Sequence, residues 1–153
     1  MRDLANDFLA QKRIAIVGVT RDVKGWGRQL YDEFKKRGYD TYAVNPARAL
    51  PGLQCYGSLR ELPKKPDGVL LVVPPNVTDQ VVREVAELGI PRVWMHRGVG
   101  KGAVSESAIQ FCREKNIAVV YGVCPFMYLQ PQAFGHKMHH TFAKWFGKLP
   151  QGA

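Results

Sequence analysis

Five short apolar runs, separated by stretches with helical spacing, constrain this chain more than any other feature. Ile14–Val17, Thr41–Val44, Gly68–Val73, Arg92–Met95 and Ile117–Tyr121 are each four to six residues long. They are rich in Val, Ile and Leu, which is how strands buried on both faces read. The intervening segments have another period. Gly27–Arg37 puts Leu30 and Phe34 on one helical face, with Gly38 as a stop. Thr78–Leu88 places Val81, Val82, Val85 and Leu88 inward, with Thr78 as the expected N-cap and Gly89 as the stop. Ser105–Lys115 turns Ile109 and Cys112 inward, Leu59–Leu62 fits a single helical turn, and Gln132–Phe146 reads as a last helix. Strands that alternate with helices imply βαβ units and a parallel sheet. The expected fold is therefore α/β, doubly wound and Rossmann-like, with a five-stranded parallel sheet and an extra C-terminal helix. Residues 1–131 form the expected domain, and 132–153 a basic helix packed on it or extending it.

Composition narrows the class. The 153 residues match one domain, and 46% are hydrophobic, enough for an ordinary core. No apolar run reaches the ~18 residues of a membrane span. The opening MRDLANDFLAQKR carries Asp3, Asn6 and Asp7 where a signal peptide needs apolar residues. Cys55, Cys112 and Cys124 show no CxxC spacing and suit a reduced, cytoplasmic protein. The net charge of +9 implies a polyanionic partner or a basic surface. No acid follows Glu114, whereas Lys115, Lys137, Lys144 and Lys148 do. A solvated helix face is the simplest account of that stretch.

In a doubly wound sheet, ligands bind beyond the carboxyl ends of the strands, where the strand order switches. The first such loop runs Gly18-Val19-Thr20-Arg21-Asp22-Val23-Lys24-Gly25-Trp26-Gly27-Arg28. Gly18 allows a tight turn, and Gly25 and Gly27 open a helix whose free N–H groups suit a phosphate. Thr20, Lys24 and Arg28 add a hydroxyl and cations. The spacing is longer than GxGxxG. Strand two ends Val44-Asn45-Pro46-Ala47-Arg48, without the acid an NAD site needs for its ribose. Asn45 can hydrogen-bond a sugar or a base edge, and Arg48 can grip a phosphate. A ligand with an additional ribose phosphate fits better than NAD, and both NADP and coenzyme A carry one.

Gly18-x-Thr20, Gly25-x-Gly27, Val44-Asn45-Pro46, Val72-Val73-Pro74-Pro75, Gly98 and Cys124-Pro125 occur in that order at the strand ends. The set resembles the stand-alone CoA-binding domain proteins, themselves similar to the CoA-binding domain of the succinyl-CoA synthetase alpha subunit, over roughly residues 10–130. The resemblance implies a Rossmann-like fold that binds coenzyme A or an acyl-CoA. It places Gly18, Thr20 and Gly27 at the diphosphate and Arg48 near the 3′-phosphate. Val73, Pro74 and Pro75 fall against the adenine and pantetheine. His96, Arg97 and Gly98 occupy the strand-four loop, and Cys124 and Pro125 the turn near the pantetheine end. Synthetase activity does not carry over, because it needs a further subunit and a phosphorylated histidine from another domain.

His136, His139 and His140 have helical spacing, and Cys124 could join them around a metal. Lys137 and Lys144 argue against it, and no metal is expected. Phe134, Met138, Phe142 and Trp145 instead form an apolar stripe that docks on the sheet or makes a homodimer contact. Cys124 would need thiolate character and access to form a mixed disulfide with CoA. No GxSxG elbow, Walker A pattern or carboxylate pair marks a catalytic centre. The expected function is a CoA-binding sensor, carrier or accessory module without its own catalysis. The alternatives are an NADP-binding oxidoreductase-like protein and a basic nucleic-acid-binding module; the latter lacks an RNP, zinc or helix-turn-helix signature.

Overall fold

A computed structural model describes residues 1–46, 52–97 and 102–129. Six parallel strands form one sheet: β1 (Arg13–Val17), β2 (Asp40–Val44), β3 (Cys55–Tyr56), β4 (Gly68–Leu71), β5 (Arg92–His96) and β6 (Ala118–Val123). Their spatial order is β3-β2-β1-β4-β5-β6. The chain therefore winds outward from β1, returns beside it at β4 and winds the other way. The order switches between β1 and β4.

Among the described residues four helices cover the sheet: α1 (Arg2–Leu9), α2 (Trp26–Lys36), α3 (Pro75–Glu87) and α4 (Glu106–Glu114). The two-residue pleat divides each strand between two cores. Ile14 and Ile16 of β1 join Leu70, Trp94 and Val120 under α1 and α2, which contribute Phe8, Leu30, Tyr31 and Phe34. Ala15 and Val17 point the other way, with Leu71, Val93, Met95 and Val119, against Val82, Val85, Ile109 and Cys112 of α3 and α4. Both faces are buried, which is why the strands read as unbroken apolar runs.

The expected five strands become six. Cys55–Tyr56 is too short to show a period and is defined by its pairing with Ala43 and Val44. Helix α1 is a further element that the sequence pattern does not predict. It packs through Phe8, whose ring lies 2.7 Å from where a Cβ on Gly68 would stand and meets Trp94 edge-on at 5.3 Å. Helix α3 begins earlier than expected. Pro74 is its N-cap and Pro75 its first residue, where a missing N–H costs nothing. Thr78 is therefore not the cap. It is fully buried, and its Oγ1 donates to Ala103 O at 2.8 Å, tying α3 to the approach to α4. Ser105 does cap α4, accepting from Ala108 N. The C-terminal helix expected at 132–146, with its three histidines and apolar stripe, lies outside the described residues.

Candidate functional site

The crevice opens at the switch point, and backbone contacts too close for any side chain build it. Val17 leads into Gly18, which has φ +110° and donates its N–H to Val44 O at 2.9 Å. A Cβ on Gly18 would stand 2.1 Å from Val72 O, and one on Gly27 would stand 2.3 Å from Gly18 O. The end of β4, the loop after β1 and the start of α2 therefore stack backbone on backbone. Only glycine fits at the two central positions.

The loop between them is held by its own polar groups. Asp22 N donates to Thr20 Oγ1 at 3.3 Å, Lys24 N to Asp22 Oδ1 at 3.0 Å and Gly25 N to Asp22 O at 2.9 Å. Gln29 Nε2 donates to Lys24 O at 2.8 Å. Gly25 is the N-cap of α2 and offers no side-chain acceptor. The dipole at that end of the helix is positive and suits an anion. Lys24 and Thr20 are exposed there. Arg28 turns back along the helix to Asp32 at 3.2 Å.

Asn45 anchors the crevice from β2. Its Nδ2 donates to Val19 O at 2.8 Å. Val19 is fully buried, so it supports the loop from within and offers the crevice no exposed surface. Pro46 follows on the surface. Arg48 and Gly98 lie outside the described residues.

Beside this loop is a cleft of about 250 Å³, lined by Trp26, Val72, Val73, Pro74, His96, Gly102 and Ala103. Four of the residues singled out from the sequence, Val72, Val73, Pro74 and His96, meet there. Pro75 lies behind them in the first turn of α3. Trp26 is 42% exposed, and its ring lies 5.1 Å from the His96 ring and 6.2 Å from that of Phe126. His96 is buried, and burial alone lowers its pKa to about 4, so it is neutral near pH 7. Arg97 is exposed, and its N–H donates to Val123 O at 3.4 Å.

Cys124 and Pro125 follow β6 into a single 3-10 turn, Pro125–Met127. Cys124 is buried, and burial pushes its thiol pKa up, partly offset by a hydrogen bond from the Phe126 backbone. That shift opposes the thiolate character a mixed disulfide needs. Among the described residues no three His, Cys, Asp or Glu side chains are grouped to hold a metal. No helix there is long and apolar enough to cross a membrane.

Sequence reasoning missed Trp26, Gly102 and Ala103 as parts of the cleft. Trp26 carried a signal, since a large aromatic between two glycines at a helix start has little core to enter. Gly102 and Ala103 carried none. They belong because Ala103 N donates to His96 O at 2.8 Å, and because a Cβ on Gly102 would stand 2.3 Å from that oxygen.

Comparison with known proteins agrees with this architecture. A family model described as a CoA binding domain matches residues 12–130. An ADP-forming acetate–CoA ligase II of Archaeoglobus fulgidus is 31% identical over 87 residues, 55% of this chain and 13% of the ligase. The chain thus spans a small part of that relative. A hypothetical protein of Pyrococcus horikoshii superposes with a TM-score of 0.74 at 25% identity, covering 82% of this chain and 87% of the other. A conserved hypothetical protein of Pyrococcus furiosus superposes at 0.68 with 32% identity, covering 77% and 99%.

Proposed function

We propose, since this chain belongs to the CoA binding domain family, that its strand-end crevice holds coenzyme A or an acyl-CoA. The observation that carries the reading is the glycine stack of Gly18, Val72 and Gly27, which brings bare backbone and an uncapped helix start to the strand-order switch. Such a surface suits a diphosphate, because main-chain N–H groups can approach the oxygens without an intervening side chain. Lys24 is exposed at its edge and is the proposed partner of the 3′-phosphate, together with Arg48 from the sequence reading. The remainder of the ligand is uncharged, and its arm carries methylene and methyl groups between its amides. It matches the adjoining cleft, whose walls at Val72, Val73, Pro74 and Ala103 are apolar.

The protein acts in this reading as a cytoplasmic sensor, carrier or accessory module, and performs no bond chemistry of its own. The crevice residues named above include no nucleophile paired with a base. Calorimetric titration with CoA, dephospho-CoA and NADP tests the proposal. CoA should bind, and should bind more weakly without its 3′-phosphate. Failure to bind CoA at millimolar concentration, or a preference for NADP, would overturn it.

A further inference from the structure

His96 makes no hydrogen bond through Nε2 to any described residue, although that atom is buried. Native proteins leave few buried polar atoms unpaired, and each calls for a reason. The main chain around His96 is tightly organised. Strands β5 and β6 pair in register as far as Met95↔Tyr121, and the next pair is His96↔Val123. The skipped residue is Gly122, at φ +81°. Bulges of this kind re-aim a side chain at the end of a strand. Beyond the bulge, Trp94 Nε1 donates to Val123 O at 3.0 Å, and Ala103 N donates to His96 O at 2.8 Å. The backbone thus fixes an imidazole whose Nε2 has no described structural partner. That imidazole borders the 250 Å³ cleft, against the ring of Trp26.

We propose that His96 reads an uncharged hydrogen-bonding group of the ligand, an amide or thioester of the pantetheine arm, and so makes this cleft selective for the arm over the phosphates. The inference rests on the CoA reading above and adds what the cleft itself recognises. The other described lining residues are apolar side chains and glycine, with no cation among them. A neutral imidazole offers one donor and one acceptor nitrogen and no charge to balance a phosphate. Burial keeps it neutral near pH 7. An amide or a thioester enters such a cleft at low desolvation cost and can pair with Nε2, whereas a phosphate would be stripped of water without compensation.

The test is calorimetric titration of CoA and of 3′-phospho-ADP, which keeps every phosphate and lacks the arm, against wild type, His96→Leu and His96→Gln. His96→Leu should weaken CoA about tenfold, the worth of one hydrogen bond, and leave 3′-phospho-ADP unchanged. His96→Gln, which restores a polar atom and checks that loss of binding is not loss of folding, should recover most of the difference. An equal loss for both ligands, or no loss for CoA, would refute the inference while leaving CoA binding intact. Wild type that binds neither ligand would overturn the CoA reading itself.

Discussion

Replacing Gly27 with alanine sets two effects of opposite sign against each other. Gly27 is the second residue of α2. In an unconstrained helix the change stabilises by about 1 kcal/mol, because glycine has more backbone freedom to lose. Here the new methyl would stand 2.3 Å from Gly18 O, 2.9 Å from Gly18 C and 3.2 Å from Val19 Cα. All three atoms belong to the main chain, so no rotamer change relieves the contact. Gly18 cannot retreat either, because its far side lies against Val72 O. Helix α2 must lift, disturbing Leu30, Tyr31 and Phe34, which it buries. Overpacking of this kind costs about 1–3 kcal/mol. Because every contact is to main chain, the cost lies in the upper part of that range, about 2–3 kcal/mol, and the clash wins with a net loss of about 1–2 kcal/mol. With a urea m-value of about 2 kcal/mol/M, the unfolding midpoint should fall by roughly 0.5–1 M. Urea denaturation followed by far-ultraviolet circular dichroism measures this. An unchanged or raised midpoint for Gly27→Ala would refute the close-packed account of the crevice.

Two further outcomes follow from the site. His96 has its pKa lowered from 6.5 to about 4 by burial, so below pH 6.5 the unfolded chain binds a proton that the folded chain refuses. Its contribution to stability is therefore complete above pH 6.5 and lost as the pH falls towards 4; melting curves of wild type and His96→Leu should diverge in slope across that window, and parallel slopes would contradict the assignment. Asn45→Ala removes the 2.8 Å bond to Val19 O and should lower stability by about 1 kcal/mol, with faster amide exchange in residues 19–25; exchange unchanged there would show that the loop does not depend on this side chain.

The parts of the fold legible in the sequence were those whose signal is repeated along the chain. The strands with β-branched runs and the helix stops at Gly38 and Gly89 needed no partner to be seen. What was hidden depends on a neighbour distant in sequence. Cys55–Tyr56 is a strand only because Ala43 and Val44 pair with it. Helix α1 offers Phe8 and Ala5 as its buried residues, too few to display a period in eight positions. The glycines of the first loop were legible as permissive residues, but not the contact that makes them necessary, because Val72 is more than fifty residues from Gly18. The isolated Nε2 of His96 was equally invisible. It lies where the pairing of β5 with β6 bulges, and β6 is nearer the end of the chain than His96.

The stacked backbones of β4, the first loop and α2 also bear on time. A loop pinned by Asn45 to Val19 O, and by main-chain contact at both glycines, has few conformations left to lose. Ligand capture at such a surface is governed by encounter and not by rearrangement, so its association rate should respond to salt and viscosity more than to loop mutations. Release is then the step through which evolution can adjust residence time, by altering the side chains that line the cleft, the exposed Trp26 among them.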